Sequence, residues 1–167
     1  MSVAAVPEPA AVLGELSLHR LLVAIDGSAN AELALTAAIT AARRDNATIT
    51  LLTVGPDVAT SPASWSVPLA GGTIDQAAVD NEACKRLQST IARIPADITV
   101  HTLYRRGKAG CEIVKAAKEG DYDAIILGAR GVGRVGALMG SVSSYVLHHA
   151  DIAVFVAHAP KETQTPE

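Results

Sequence analysis

The residues best suited to chemistry lie toward the carboxyl end: Gly128-Ala129-Arg130-Gly131, eight residues, then Gly140-Ser141-Val142-Ser143. A short apolar run, Ala124-Ile125-Ile126-Leu127, leads in, and a helix-like run from Val142 to His149 leads out. Glycines let a backbone turn tightly and approach a ligand with no Cβ in the way. Serines at the head of a helix sit where first-turn N–H groups lack an intrahelical partner. A strand, a glycine-rich loop and a serine-headed helix together make an anion site, and phosphate is the usual anion. Five glycines fall between positions 128 and 140, more than a plain connection needs. A second group, Asp26-Gly27-Ser28, ends another apolar run and supplies one carboxylate and one hydroxyl.

These groups must be positioned by regular elements. Leu21 to Ile25 is a continuous apolar run, the pattern of a strand buried on both faces. Ser28 suits the cap of a helix reaching about Arg44, with Leu35, Ile39 and Ala42 on one face. Ala47 to Val54 reads as a second strand. Residues 55–72 carry Pro56, Pro62 and Pro68 with Gly71 and Gly72 and read as a long loop, mobile or functional, with Trp65 as a candidate lid or a surface residue. Thr73 to Gln76 fits a capping box opening a helix toward Ile94 and Pro95. Ile98 to Tyr104 alternates as a third strand, Lys108 to Lys118 forms a third helix, and Asp123 to Leu127 a fourth strand. The glycine-rich loop, a fourth helix and a fifth strand, Ile152 to Ala157, complete the order.

Strands alternating with helices imply parallel pairing and right-handed crossovers. The fold class is therefore α/β: an open, mainly parallel five-stranded sheet with helices on both faces. Such sheets bind ligands beyond the carboxyl ends of their strands, where strand order reverses. If the first and fourth strands are neighbours, Asp26 and the glycine-rich loop face one crevice. A nucleotide fits it, with ribose hydroxyls toward Asp26 and phosphates at the loop.

The totals narrow the classes. The 167 residues are 49% apolar but only 3% aromatic, so the core is built from Ala, Val, Leu and Ile. A net charge of -3 gives no global pull toward nucleic acid or an anionic membrane. Cys84 and Cys111 lack a CxxC spacing and suit a reducing compartment. No apolar run approaches bilayer length. Residues 1–17 read as a flexible tail without the basic start of a secretory signal, and 159–167 as a second tail, around a domain at 18–158. The default location is the cytoplasm.

Asp26-Gly27-Ser28 after strand one and the glycine motif after strand four together resemble the universal stress protein family, across roughly residues 19–158. That resemblance implies the adenine-nucleotide α-hydrolase-like strand order 3-2-1-4-5. It implies ATP as ligand: Asp26 at the ribose, the Val54 backbone at adenine with Ala24 and Ile25 beside the base, and Gly128, Gly131, Gly140, Ser141 and Ser143 at the phosphates. Arg130 and Val142 belong to the same motif, although Arg130, like Arg134, also reads as a solvated loop charge. Mg²⁺ would join the phosphates near Asp26. The family commonly dimerises through strand five, here Ala153-Val154-Phe155-Val156, and an apolar edge strand has its own motive to pair. The eight residues between Gly131 and Gly140 are one fewer than the family spacing, and Gly133 and Gly136 offer a shorter path.

The resemblance points to a regulatory or sensor module that binds ATP, with no nucleophile pair or metal cluster to name a reaction. A dimeric scaffold without nucleotide is the alternative reading, supported by the shortened loop. An ATP-pyrophosphatase-like enzyme is disfavoured because strand one ends with a single glycine. The G-x-G-x-x-G match at Gly131 to Gly136 comes too late for a dinucleotide fold. His148 and His149 read as dipole partners at a helix end, and His19, His101 and His158 show no ligand spacing. Lys115, Lys118, Arg105 and Arg106 read as a solvated basic face.

Overall fold

The structure, a computed structural model, describes residues 17–60, 75–129 and 140–158. Trp65, Thr73, Arg130, Gly131, Gly133, Arg134 and Gly136 lie outside the described residues, as do both terminal segments. The elements run β1 (Arg20–Ala24), α1 (Ala29–Asp45), β2 (Thr48–Gly55), α2 (Gln76–Ile91), β3 (Val100–Arg106), α3 (Ala109–Glu119), β4 (Ala124–Gly128), α4 (Ser141–His149) and β5 (Ala153–Ala157). The five strands form one all-parallel sheet in the order β3-β2-β1-β4-β5. The chain first winds from β1 through β2 to β3, then returns to β4 on the other side of β1. The order therefore reverses between β1 and β4.

Side chains alternate across the sheet and fill two cores. Leu21, Val23, Ile25, Ile49, Leu51, Ala124 and Ile126 face α1 and α2, meeting Ala34, Leu35, Ala38 and Leu87. Leu22, Leu52, Ile125 and Leu127 face α3 and α4, meeting Ile113, Val114, Ala117 and Val146. The buried contacts of α1 are largely alanine, which lets that helix lie close on the strands. Gly128 is where this closeness is greatest. A Cβ there would stand 2.5 Å from the Asn30 carbonyl carbon and 2.7 Å from the Ala31 nitrogen. Both are backbone atoms of the first turn of α1, so only glycine ends β4 in this packing.

Local signals set most boundaries. The Ser28 hydroxyl accepts from the Ala31 N–H at 3.2 Å and starts α1. Asn46 ends α1 in the left-handed conformation, φ 53°, with its N–H on the Ala42 carbonyl. Two expectations need correction. The α2 cap is Asp75, whose carboxylate accepts from Ala77 N at 3.0 Å, so Gln76 is the first helical residue and not the far end of a capping box. The Gln76 side chain reaches back instead, accepting from Val58 N at 2.8 Å and donating to Asp80. The third strand begins at Val100, not Ile98. Ile98 is buried in a turn, with its N–H on the Pro95 carbonyl, and pairing starts where Val100 meets Ile49.

Candidate functional site

The carboxyl ends of β1, β2 and β4 open on a cleft bounded by the starts of α1, α3 and α4. Ala24, Leu52, Val54 and Leu127 line it from the strands, Ala109 and Ile113 from α3, Val142 from α4, and Asp26 and Gly128 from the rim. Parallel strands end here together because every crossover helix returns the chain to the opposite edge.

The sequence-predicted residues Ala24, Ile25, Asp26, Val54, Gly128 and Val142 all line this one cleft. Gly140, Ser141 and Ser143 flank Val142 at the start of α4. Ile25 is buried, and its carbonyl accepts from the Thr53 hydroxyl at 3.1 Å. The Asp26 side chain is solvent-facing and accepts from Ser28 N at 2.9 Å, which fixes the turn out of β1. Gly27 completes the turn at φ +80°.

The Ser143 hydroxyl is buried and donates to the Gly140 carbonyl at 3.0 Å. It faces the protein, so what Ser143 offers at the helix start is its backbone N–H. The first α4 bond runs from Ser144 N to Gly140 O, leaving the N–H groups of residues 141–143 ahead of it. The N-cap, Gly140, has no side chain to cap them. The N-terminus of α3, at Lys108, also has no side-chain cap. Both uncapped helix starts flank the cleft, and their dipoles place partial positive charge there. The arrangement is an apolar slot with a carboxylate at its rim and backbone donors at one end. It suits a flat apolar body carrying hydroxyls and an anion.

Sequence reasoning missed the α3 wall, Ala109 and Ile113, and it missed Asn30. The amide of Asn30 donates to the Ala129 carbonyl and ties the start of α1 to the end of β4. A signal for α3 existed: its first residues follow a strand end on the crevice side. The histidines at the end of α4 match their expected role, with Nδ1 of His148 and His149 donating to the carbonyls of Ser144 and Tyr145. The basic face is exposed at Arg106, Lys115 and Lys118, and its cations form surface ion pairs: Arg105 and Lys115 with Glu119, Arg106 with Asp80, and Lys118 with Asp151.

At the free end of β2 and β3, Asp80 collects three partners. Arg106 grips it, the Tyr104 hydroxyl donates at 2.6 Å, and Gln76 donates at 2.9 Å. Arg106, then Tyr104, hold the Asp80 carboxyl at about 2, while burial, followed by Asp80, pushes the Tyr104 phenol to about 12. Neither group changes charge near neutral pH.

Residues 17–158 match the sequence model of the universal stress protein family. Universal stress protein YxiE of Bacillus subtilis is 33% identical over 134 residues, 77% of this chain and 90% of that protein. Among solved structures, universal stress protein UspA from Lactobacillus plantarum superposes with a TM-score of 0.63 at 32% identity, covering 83% of this chain and 97% of that one. The Archaeoglobus fulgidus universal stress protein in complex with dAMP has a TM-score of 0.62 at 22% identity, covering 85% and 99%. An Arabidopsis thaliana family member with AMP bound has a TM-score of 0.63 at 15% identity, covering 89% and 97%. The last two likenesses speak for the shared fold.

Proposed function

The chain belongs to the universal stress protein family, and on that premise we propose that it is a regulatory module that binds an adenine nucleotide in the cleft above β1 and β4. One observation carries this reading: the two described helix starts without side-chain caps, those of α3 and α4, both lie on the cleft, and Asp26 stands at the same rim. Adenine would lie on the apolar strand ends beside the Val54 backbone, ribose toward Asp26, and phosphate on the N–H groups that begin α4. The relatives named with dAMP and AMP support an adenine nucleotide as the ligand class. ATP is the finer proposal. A single solvent-facing carboxylate is a suitable donor for a phosphate-bound Mg²⁺, which takes one or two carboxylates and keeps its waters. Asp26 would hold that ion.

Assembly is part of the proposal. Among the described residues β5 pairs only with β4 and presents Phe155 41% exposed, and Leu147 on α4 is 38% exposed. An unpaired apolar edge favours a second copy, and a homodimer through Ala153–Val156 would cover it. No helix among the described residues is long and apolar enough to cross a membrane. We assign the protein to the cytoplasm.

Thermal denaturation with AMP, dAMP and ATP, each with and without Mg²⁺, tests the reading. A ligand at a hundredfold excess over Kd stabilises by about 2.7 kcal/mol and raises Tm accordingly. Gly140→Val should abolish the shift while leaving the apo Tm within a few degrees, because residue 140 has ordinary extended backbone, φ -73° and ψ 161°. A folded wild-type protein whose Tm ignores all three nucleotides contradicts the proposal.

A further inference from the structure

Arg86 differs from the other arginines described. Arg20, Arg43, Arg44, Arg93, Arg105 and Arg106 each hold a carboxylate. Among the described residues the Arg86 guanidinium holds none. Glu82 precedes it by one turn of α2, in the Glu-to-Arg i,i+4 order that favours pairing, yet no ion pair forms. The side chain is turned to the carboxyl-end rim and laid on Gly27, where a Cβ would stand 3.2 Å from its Nε. A half-buried arginine held there without a carboxylate keeps its planar fork of donors available.

Arg86 also lines a second cleft, on the α2 side of the sheet. Val54, Pro56, Val79 and Ala83 wall it, and Val54 is the only residue it shares with the first cleft. We propose that this second cleft binds a small anion with an apolar body, a carboxylate or a phosphate monoester, and that Arg86 is its charge partner. The fork of an arginine matches either head group through paired N–H donors. The apolar wall takes the body. Two carboxylates, Asp75 and Glu82, line the same cleft and limit the charge it accepts. Asp75 is engaged as the α2 cap, so Glu82 is the nearer opponent of a second negative charge. The Thr53 hydroxyl is spent on the Ile25 carbonyl and does not compete for the ligand. This site does not depend on the nucleotide reading.

The full chain, labelled with ¹⁵N, is titrated with benzoate and with phenyl phosphate, and with benzyl alcohol as the uncharged control. Either anion should move the Arg86 Nε–H resonance and the amides of Gly55 and Val79, and benzyl alcohol should not. The probe that binds more tightly identifies the preferred head group. Arg86→Gln should raise its Kd about tenfold or more, Arg86→Lys by less, and Glu82→Gln should lower it. The proposal is overturned if neither anion moves those resonances, if AMP displaces the probe, or if Arg86→Gln leaves the affinity unchanged. Should Arg86→Gln fail to fold, the Arg86→Lys titration and the wild-type shifts decide.

Discussion

The two faces of the sheet begin their helices differently. On one face, α1 and α2 start from Ser28 and Asp75, whose side chains satisfy first-turn N–H groups. On the other, α3 and α4 start from Lys108 and Gly140, and no side chain does so. A capped helix start is finished locally, including that of α1, whose Ala31 also lines the cleft. An uncapped one exposes donors worth satisfying, and both of these expose them beside the same cleft. The contrast sets a glycine held by packing apart from one that the proposed phosphate site would use. Gly128 is fixed by the backbone of α1, whereas Gly140 has ordinary extended backbone.

Substitutions can break that contrast. The largest effect is expected at Gly128→Ala, where the new methyl meets immovable backbone. A loss of about 3 kcal/mol, read as a lower urea midpoint, is expected, and wild-type stability would show that α1 can move away. Next, Gly140→Asp gives α4 the cap it lacks. Apo stability should rise by a few tenths of a kcal/mol, while nucleotide affinity falls about tenfold or more, because the carboxylate takes the donors and repels phosphate. An unchanged Kd in a calorimetric titration would place the phosphate elsewhere. Ser28→Ala, on the capped face, should do the reverse: a loss of about 1 kcal/mol in stability with Kd unchanged.

The smallest effect concerns acid. The Asp80 carboxyl sits at about 2 in the folded chain, against 3.8 ordinarily. A depressed carboxylate stabilises the fold above its unfolded value and loses that contribution as pH falls through the folded one. Stability should therefore decline between about pH 4 and pH 2. Asp80→Asn should flatten the decline, which a series of denaturation curves across that range would detect. An identical slope in the variant would assign the acid sensitivity to the other depressed carboxylates: Asp45, which Arg44 holds at about 2 as well, Asp97 beside Arg43 and Glu32 beside Arg93.

Much of this molecule is legible along the chain. Apolar runs at Leu21–Ile25 and Ala124–Leu127 declare strands buried on both faces because parallel strands with helices on either side show no alternation. Ser28 declares a helix start because its cap bond spans three residues. The α2 cap was misplaced because Asp75 and Thr73 carry equally good caps within two positions, and contacts with Val58 and Asp80 select between them. The start of β3 was misplaced because Ile98 looks like a strand residue but fills the core from a turn.

By itself, then, the sequence determined the element order, the fold class and the residues converging on the rim between β1 and β4, since each follows from local periodicity and turn chemistry. Tertiary structure alone decided that Ala109 and Ile113 wall the cleft, that Ser143 turns its hydroxyl inward, and that Arg86 lies on Gly27. Those outcomes depend on which distant backbones come within a few ångströms of each other, and no spacing along a chain encodes that distance.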